Sequence, residues 1–294
     1  MNEPALSFSI ATAVYNDVEG IGTAIDSVVD QAYPEMEYVV FDGGSTDGTV
    51  EVIRNRESRL SSWYSGPDAG QYHAIRDALN STSGEIMGWL NSDDRYFPWT
   101  FQIVNEVFRK FPEVDWITGR PIISYNGIPK SINRLHYYPQ DLIKAGACDE
   151  HGLCHIQQES TFWRRSLWEK VGGLNTDLQL AADFDLWIRF ANVSPLVAVD
   201  AVLGSFHDRT GANRSQKFRN QYIEDVELVK QALGPEAKRI REHFIRNRQI
   251  YRQTRRIPLL RSLHYQINLK QYRAPIICWN NREKSYQLQH RYLY

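Results

Sequence analysis

The first 111 residues alternate short apolar runs with stretches whose apolar positions recur at helical spacing. Residues 6–14 are rich in Ile, Val and Phe without a helical period, which predicts a strand. A helical period follows at Ile21, Ala24, Ile25, Val28 and Val29. The same alternation predicts strands at 38–41, 63–65 and 86–90 and helices at 49–56, 71–80 and 99–111. Such alternation is typical of right-handed βαβ units, so the sequence predicts an α/β fold with a mostly parallel central sheet flanked by helices.

Three polar clusters directly follow predicted strands, at residues 15–17, 42–44 and 91–94. Ligands of open parallel sheets bind beyond the carboxyl ends of the strands, so these clusters are expected to line one site. Each cluster also has an ordinary interpretation, because Gly, Asp, Ser and Thr are common in turns and helix caps. Their order, with acidic residues after the second and fourth strands, favours the ligand site.

Composition indicates a globular chain. Of the 294 residues, 42% are hydrophobic, and no apolar run approaches the length of about 18 residues that spans a bilayer. Residues 1–4 lack the basic start and apolar core of a signal peptide. Three cysteines, Cys148, Cys154 and Cys278, cannot all pair within one chain. These features indicate a cytoplasmic location.

The net charge of −1 conceals a strong asymmetry. Residues 236–294 contain 14 Lys and Arg against 3 Asp and Glu, which leaves 20 basic and 32 acidic residues in 1–235. The local net charges are therefore +11 and −12. This division predicts a catalytic domain over 1–235 and a basic, aromatic-rich extension over 236–294, with helical stretches up to Pro258 and a later segment broken at Pro275.

Several motifs together resemble those of the family 2 glycosyltransferases. They are SIATAVYN at 9–16, FDGGSTDGT at 41–49, LNSDD at 90–94, QESTFWRR at 158–165, VGGL at 171–174 and ADFDLWIR at 182–189. The resemblance covers about residues 7–210 and implies the GT-A fold, a nucleotide-sugar donor and inversion of the anomeric configuration. The chain departs from the family at Asn91, where the first acid of the DXD motif is usual, and at Ala182, where an acid often precedes the catalytic Asp.

The resemblance implies a divalent cation, Mn²⁺ or Mg²⁺, held against the donor diphosphate. Carboxylates suit such a cation, and the cation neutralises the charge that develops on the leaving group. Asp93 is expected as the first ligand and Asp94 as the second, with His207 near the diphosphate or metal. Asn91 and Ser92 are expected beside the donor, and Asn91→Asp is expected to be tolerated because it restores the usual carboxylate.

The same resemblance implies a nucleoside site. Asp42 matches the residue that contacts the base, where a carboxylate can accept from a uracil N–H, so a UDP-sugar is favoured. Gly43 and its neighbour would let the nucleotide approach the backbone closely. Asp68 is a further donor-site acid, although a Pro-Asp turn explains it nearly as well. The other side of the nucleoside would be lined by Thr12, Ala13 and Tyr15.

Asp183 matches the family's general base, which takes the proton of the acceptor hydroxyl. It is expected in the first turn of a helix that runs to Asn192, where the helix dipole favours the ionised carboxylate. The alternative is that Asp183 only caps that helix. Asp185 is interpreted instead as a surface partner of Arg189, four residues later.

The basic extension has three interpretations. Basic and aromatic residues suit nucleic acid, but they equally suit packing on the acidic domain. Attachment to an anionic membrane surface is favoured over both, because bacterial relatives often glycosylate lipid-linked acceptors and such surfaces attract basic segments. We therefore expect a peripheral enzyme at the inner face of the cell membrane, with a glycan or lipid-linked acceptor and no nucleic-acid partner.

Other functions are weaker matches. A non-catalytic nucleotide-sugar or glycan-binding protein on the same fold is favoured by Asn91 and Ala182 but opposed by the intact Asp93 and Asp183. A nucleotidyltransferase would carry a Gly-rich basic loop after the first strand, which residues 11–20 lack. A zinc site is a minor alternative, suggested by the spacing of Cys148, His151, Cys154 and His155.

Overall fold

The structure, a computed structural model, describes residues 5–125, 128–132, 134–149, 155–209 and 213–293. The strands are β1 (Phe8–Val14), β2 (Met36–Asp42), β3 (Ser62–Ser65), β4 (Ile86–Trp89), β5 (Arg95–Tyr96), β6 (Trp116–Thr118), β7 (Ile122–Tyr125), β8 (Ile128–Ile132), β9 (Thr161–Arg164), β10 (Val197–Val199), β11 (Gly204–His207), β12 (Arg273–Asn280) and β13 (Ser285–Tyr292). The helices are α1 (Ile21–Val29), α2 (Thr49–Arg54), α3 (Gln71–Asn80), α4 (Thr100–Lys110), α5 (Gln140–Lys144), α6 (Arg165–Val171), α7 (Ala182–Val193), α8 (Arg214–Lys217), α9 (Arg219–Ala232), α10 (Gly234–Gln253) and α11 (Pro258–His264).

Among the described residues, the central sheet has the strand order β13-β12-β10-β6-β9-β4-β1-β2-β3. Strands β4, β1, β2 and β3 are parallel to one another, as are β6, β10 and β12. Strand β9 runs antiparallel between β4 and β6 and so joins the two parallel groups. The predicted α/β fold with a mostly parallel central sheet is confirmed.

Strand β1 lies inside the sheet with both faces covered. Phe8, Ile10 and Val14 belong to the cluster that contains the apolar sides of α1 and α4, whereas Ala11 and Ala13 belong to the cluster on the other face with α3 and α7. Side chains alternate between the faces of a strand, so an almost continuously apolar strand suits a sheet with helices on both sides.

Aromatic packing fixes α7 against the sheet. The Trp187 ring stacks on Trp89 of β4 at 5.9 Å between centroids and on Trp116 of β6 at 5.7 Å. All three side chains are almost fully buried. Stacked aromatic pairs contribute about 0.5–1.5 kcal/mol each beyond the burial of their area, so this packing holds the first turn of α7 near the end of β4.

A smaller sheet covers the end of β4. Its order is β5-β11-β7-β8, with β11 antiparallel to β5 and parallel to β7. Strand β5 directly follows the 91–94 loop, and β11 ends at His207. This pairing brings the segment after His207 to the same loop.

The C-terminal extension differs from the helical prediction in its last part. The first part of the extension forms helices α10 and α11, as expected. Strand β12, however, pairs in parallel with β10 through Ala198 and Ile276, and β13 pairs antiparallel with β12. Residues 274–277 are buried, which suits a strand covered on both faces. The division of the chain at residue 235 stays a prediction, and residues 273–292 extend the central sheet. In the described part of the chain, no helix is long and apolar enough to cross a bilayer.

Candidate active site

The carboxyl ends of three neighbouring parallel strands meet at one edge of the central sheet. Val14 of β1 pairs with Asp42 of β2, and Ala11 of β1 pairs with Trp89 of β4. The three polar clusters at 15–17, 42–44 and 91–94 follow these strands. The structure therefore brings together the segments that the sequence predicted to share one site.

Asp42 organises the loop after β2. Its carboxylate is 1% exposed, and its Oδ2 accepts hydrogen bonds from the N–H groups of Gly44 and Ser45 at 3.0 Å each and from the Ser65 hydroxyl at 2.7 Å. The Ser45 hydroxyl donates to Oδ1. These partners occupy the carboxylate within its own loop. Its contact with a nucleotide base stays a prediction, and such a contact would require some of these hydrogen bonds to be exchanged.

Gly43 lies in close contact with the second predicted donor-site acid. A Cβ placed on Gly43 would lie 3.1 Å from Asp68 Oδ2 and 3.4 Å from a ring carbon of Tyr15. Asp68 itself accepts a hydrogen bond from the Gly70 N–H at 2.8 Å, as in the Pro-Asp turn that was the alternative interpretation. The absence of a side chain at Gly43 therefore keeps space between Asp68 and the 66%-exposed Tyr15.

A cavity of about 190 Å³ opens beside this loop. It has apolar and polar walls, formed by Phe41, Asp42, Tyr64, Pro67, Asp68, Ala69, His73, Ala74 and Asp77. The Phe41 and Tyr64 rings lie 5.8 Å apart. Aromatic walls with a few polar groups are typical of small-molecule sites, and the sequence did not single out His73 or Asp77.

Two residues expected beside the nucleoside lie in the interior instead. The Thr12 side chain is fully buried, and its hydroxyl lies 2.9 Å from the Tyr38 hydroxyl. Ala13 is 8% exposed and packs in the core. Because β1 is covered on both faces, Tyr15 beyond its end is the member of this group that reaches the surface.

Asp94 holds the 91–94 loop against β11. The side chain is 1% exposed, and its Oδ1 accepts the His207 N–H at 2.8 Å while Oδ2 accepts the Asn91 amide at 3.3 Å. Burial raises the pKa of Asp94 well above its ordinary value, and Asp93 adds to the shift. Both oxygens have protein partners, so the role of Asp94 as a metal ligand stays a prediction.

Asp93 is the more open of the two adjacent acids. Its Oδ2 accepts the Asn213 amide at 3.2 Å and lies 3.6 Å from Arg209 Nε, and its side chain is 21% exposed. Burial raises the pKa of Asp93, and Arg209 opposes that shift. Asn213 also donates to the His207 carbonyl at 2.8 Å, so Arg209 and Asn213 both face Asp93.

Asp17 connects the loop after β1 to this cluster. Both of its oxygens accept from Arg209 Nη2, at 2.8 and 2.9 Å, and its Oδ2 accepts the Ser92 hydroxyl at 2.6 Å. Ser92, expected beside the donor, thus contacts Asp17 in the structure. Arg209 places one guanidinium between the carboxylates of Asp17 and Asp93.

Sequence reasoning missed Arg209, Asn213 and the role of Asp17. Arg209 and Asp17 are separated by 192 positions, and no periodicity relates residues that far apart. The available signals were weak: Asp17 belongs to the first polar cluster, and Arg209 follows the segment that contains His207.

Glu159 is a further acid that the sequence did not single out. It is 3% exposed, and its Oε1 has no hydrogen-bond partner within the described residues. Burial raises the pKa of Glu159 to about 8, and the charges of Asp93 and Asp183 contribute to the shift. The Glu159 carboxyl group thus interacts electrostatically with both predicted functional acids.

The donor set fits a divalent cation shared with a substrate. Within the described residues, no group of three His, Cys, Asp or Glu side chains could hold a metal without help. Mg²⁺, however, is usually bound by one or two carboxylates together with substrate phosphates and water. A partly open Asp93 matches that arrangement, and the His207 side chain is half-buried nearby.

Asp183 lies in the first turn of α7, as predicted. The Tyr72 hydroxyl is 3.5 Å from its Oδ1. Burial raises the pKa of Asp183, whereas the Phe184 N–H and His155 oppose the shift. The N-cap position belongs to Ala181, and no side-chain hydrogen bond caps the helix. The structure therefore does not support the interpretation of Asp183 as an N-cap.

Two other interpretations are resolved differently. Arg189 pairs with Asp185 at 2.7 Å, so the predicted ion pair is confirmed, although both side chains are half-buried and not on the open surface. Of the four residues with zinc-like spacing, His151 and Cys154 lie outside the described residues, and the Cys148 side chain is buried.

The expected tolerance of Asn91→Asp stays a prediction, and the contacts of Asn91 add an expected stability cost in the absence of metal. The Asn91 amide donates to Asp94 Oδ2 at 3.3 Å, and its Oδ1 accepts from Gln71 at 3.0 Å. An Asp at this position loses the donor and turns an acceptor towards Asp94. At a pH at which Asp94 is ionised, we expect the metal-free variant to lose about 1–3 kcal/mol of unfolding free energy, the typical cost of an unpaired buried polar group.

Thermal unfolding in EDTA, and then with Mn²⁺ and UDP, tests this expectation. A cation between the two carboxylates should restore part of the loss, so the stabilisation by Mn²⁺ and UDP is expected to be larger for the variant than for the wild type. An unchanged melting temperature in EDTA would contradict the structural role of Asn91.

The chain has an α/β fold, and its candidate site lies at the carboxyl ends of parallel strands, where open sheets of this kind bind their ligands. Residues 9–172 match Glycosyl transferase family 2, which is more than half of the chain. An uncharacterised glycosyltransferase of Mycobacterium tuberculosis is 30% identical over 210 residues, covering 70% of this chain and 77% of the relative. The chain therefore belongs to glycosyl transferase family 2. A second uncharacterised glycosyltransferase, from Rickettsia typhi, is 26% identical and covers 73% of this chain and 68% of the relative.

Solved structures of other glycosyltransferases share the fold. S. aureus TarS 1–349 in complex with UDP-GlcNAc is similar with a TM-score of 0.60 and 17% identity, over 76% of this chain and 65% of that chain. The mannosyltransferase PcManGT from Pyrobaculum calidifontis, in complex with GDP-Man and Mn²⁺, has a TM-score of 0.56 and 20% identity, over 80% and 67%. The present chain thus spans slightly less than two thirds of that TarS fragment. At these identities the likeness shows the GT-A fold alone.

Proposed function

We propose that this chain is an inverting, metal-dependent glycosyltransferase that moves a sugar from a nucleotide diphosphate sugar to an acceptor hydroxyl. The observation that carries this proposal is the arrangement at one sheet edge of three features. They are a partly open carboxylate, Asp93, a cavity walled by Phe41 and Tyr64, and a second acid, Asp183, on a separately anchored helix.

Asp183 is proposed as the general base. As the acceptor oxygen forms its bond to the anomeric carbon, the hydroxyl proton passes to the Asp183 carboxylate, and the bond from that carbon to the diphosphate breaks. Attack from the side opposite the leaving group inverts the configuration. The Tyr72 hydroxyl, 3.5 Å from Asp183 Oδ1, orients the carboxylate.

Asp93 is proposed to hold the Mn²⁺ or Mg²⁺ ion, with Asp94 and His207 as further ligand candidates. When bound, the cation supplies positive charge to the leaving diphosphate. Arg209 is already positioned by Asp17 at 2.8 Å. Its guanidinium supplies a second positive charge on the same side of the site.

The nucleoside is proposed to occupy the cavity beside the Asp42 loop, between Tyr15 and Asp68. TarS was solved with UDP-GlcNAc and PcManGT with GDP-Man, so relatives of this fold use different bases. We favour UDP for this chain because an acid at Asp42 can accept a base N–H once its loop opens.

The acceptor is proposed to be a growing glycan or a lipid-linked sugar of a cell-surface polysaccharide. The basic charge of residues 236–294 supports a peripheral position on an anionic membrane, at the cytoplasmic face. A nucleic-acid partner is not proposed.

A panel of nucleotide sugars, tested by thermal shift with Mn²⁺ and with EDTA, examines the donor. A ligand that binds only the folded state stabilises it by about 2.7 kcal/mol at a hundredfold excess over Kd. We expect UDP-sugars to raise the melting temperature by several degrees with Mn²⁺ and hardly at all with EDTA. Stabilisation by GDP-sugars alone would overturn the choice of UDP, and no response to any donor would contradict the proposed function.

The alternative is a protein that binds nucleotide sugar or glycan without catalysis. Asn91 and Ala182, which replace two usual acids, favour it. Both proteins would show the thermal shift, but only the enzyme would release UDP when given an acceptor. Turnover with a mixed acceptor panel therefore separates them.

A further inference from the structure

Helix α11 and the turn that follows it expose a continuous apolar face. Leu259 is 80% exposed, Leu263 is 55% exposed and Ile267 is 68% exposed. These residues are spaced by four positions, which places them on one side of the helical segment. Ile257 and Leu260, at 51% and 49%, extend the same surface. We call these five residues the apolar face.

The segment that carries the apolar face is held in place by a small core. Leu269, at the end of the same turn, is fully buried, and it forms a small core with Phe244 and Tyr272 from the extension and Leu142 and Ala147 from the domain. The Phe244 and Tyr272 rings pack edge to face at 5.3 Å. One side of the extension is thus fixed to the protein, while the apolar face points into solvent. A contiguous exposed apolar surface usually marks a contact with a membrane or a partner.

The charge along the chain segment that carries this face is of one sign. Residues 243–282 contain no Asp or Glu. They contain nine basic residues, namely Arg246, Arg248, Arg252, Arg255, Arg256, Arg261, Lys270, Arg273 and Arg282. Of these, Arg252, Arg256 and Lys270 are exposed in the segments that flank the apolar face.

Apolar side chains next to positive charges indicate which partner binds this face. Two copies of this chain would bring equal positive charges together, which opposes self-association through this surface. An anionic lipid surface offers both an apolar interior and negative head groups. Leucine and isoleucine on one side with arginine and lysine around them are typical of helices that lie in the membrane interface.

We propose that the apolar face inserts into the interface of an anionic bilayer, with the flanking basic residues on the lipid head groups. This inference rests on the proposed peripheral location of the enzyme, and it assigns the membrane contact to residues 257–267. The insertion itself does not depend on glycosyl transfer.

Salt separates insertion from simple charge attraction. Attraction between exposed charges and a membrane is screened at high salt, because the Debye length falls to about 3 Å at 1 M. Burial of leucine side chains is not weakened in this way. Binding that survives about 1 M salt therefore reports the apolar face.

The experiment compares the full chain with Leu259→Ser/Leu263→Ser by flotation with vesicles of equal parts phosphatidylcholine and phosphatidylglycerol. Burying one leucine contributes about 1.5–3 kcal/mol, so at about 1 M NaCl we expect the double variant to bind more than about a hundredfold more weakly. At low salt both proteins should bind. The control for an exposed leucine is Leu228→Ser, because Leu228 is 61% exposed and belongs to a different helix, α9.

Three outcomes would overturn the inference. They are equal retention of the double variant and the full chain at high salt, complete release of the full chain by salt, and a dimer of the full chain in sedimentation that the double variant loses. Melting temperature and UDP release with a soluble acceptor are measured in parallel. Both should be unchanged in the double variant, so a failure of membrane insertion is distinguishable from a failure of the proposed glycosyl transfer.

Discussion

Asp183→Asn is expected to slow glycosyl transfer by about a hundred- to ten-thousand-fold, the usual contribution of a general base. This corresponds to roughly 3–5 kcal/mol of activation free energy, at about 1.36 kcal/mol per decade. Asparagine keeps the shape of the side chain and can still contact the Tyr72 hydroxyl at 3.5 Å, but it cannot accept a proton at neutral pH. Affinity for UDP should be nearly unchanged, since the base acts on the acceptor.

The measurement is the single-turnover rate beside UDP affinity, for wild type and variant. Asp185→Asn is the matched control, because Asp185 lies two residues away on the same helix and pairs with Arg189 at 2.7 Å. We expect the control to lose some stability, because the Asp185–Arg189 pair is half-buried, but to keep its transfer rate. A rate that stays the same in Asp183→Asn would remove this residue from the mechanism.

The pH dependence of the transfer rate provides a second test of Asp183 as the base. Burial raises the pKa of Asp183 above its ordinary value. A base acts in its deprotonated form, so the wild-type rate should fall as the pH falls through this raised pKa. In Asp183→Asn the residual rate should lose that acidic limb.

Local periodicity explains how much of the fold was predictable from the sequence. Helix α3 runs from Gln71 to Asn80 as predicted, and the strand predicted at 86–90 is β4 at Ile86–Trp89. In these segments the secondary structure follows from apolar residues that lie only a few positions apart in the sequence. The place of β9 between β4 and β6 depends instead on pairing with distant strands, and the hairpin of β12 and β13 depends on the open edge of β10.

The sequence predicted which residues belong to the candidate site better than it predicted their contacts. Asp42, Asp93 and Asp183 were named from motif order, and the structure brings their segments to one edge of the sheet. Their hydrogen bonds were not predictable. Asp42 is occupied by its own loop, and Asp93 faces Arg209, 116 positions later in the chain.

The contacts of Asn91 and Thr12 also could not be predicted from the sequence. A motif predicts which residue type stands at the end of a strand, but the direction of the side chain follows from the burial around it. Thr12 turns into a covered face of β1 and reaches Tyr38. Asn91 supplies the amide that Asp94 needs, so its neutral side chain suits a loop with a fully buried acid beside it.

Asp93→Ala is expected to abolish metal-dependent UDP binding and with it turnover. Asp93 is the partly open carboxylate of the cluster, whereas Asp94 has both oxygens occupied by His207 and Asn91. Mutation of residues behind a metal ligand already costs about 10- to 100-fold in metal affinity or activity. Loss of the ligand itself should exceed a hundredfold, and titration of UDP by calorimetry with Mn²⁺ and with EDTA measures it.

The wild type in EDTA is the control for this loss. If Asp93 acts through the cation, UDP affinity of Asp93→Ala in Mn²⁺ should equal that of the wild type in EDTA. The variant should also unfold at the same or a higher temperature in metal-free buffer, because it removes one of several crowded carboxyl groups near Asp94 and Glu159. A lower melting temperature would indicate that the side chain supports the fold. Full Mn²⁺-dependent UDP binding by the variant would place the cation elsewhere, since a coordinating carboxylate cannot be removed without weakening the site it builds.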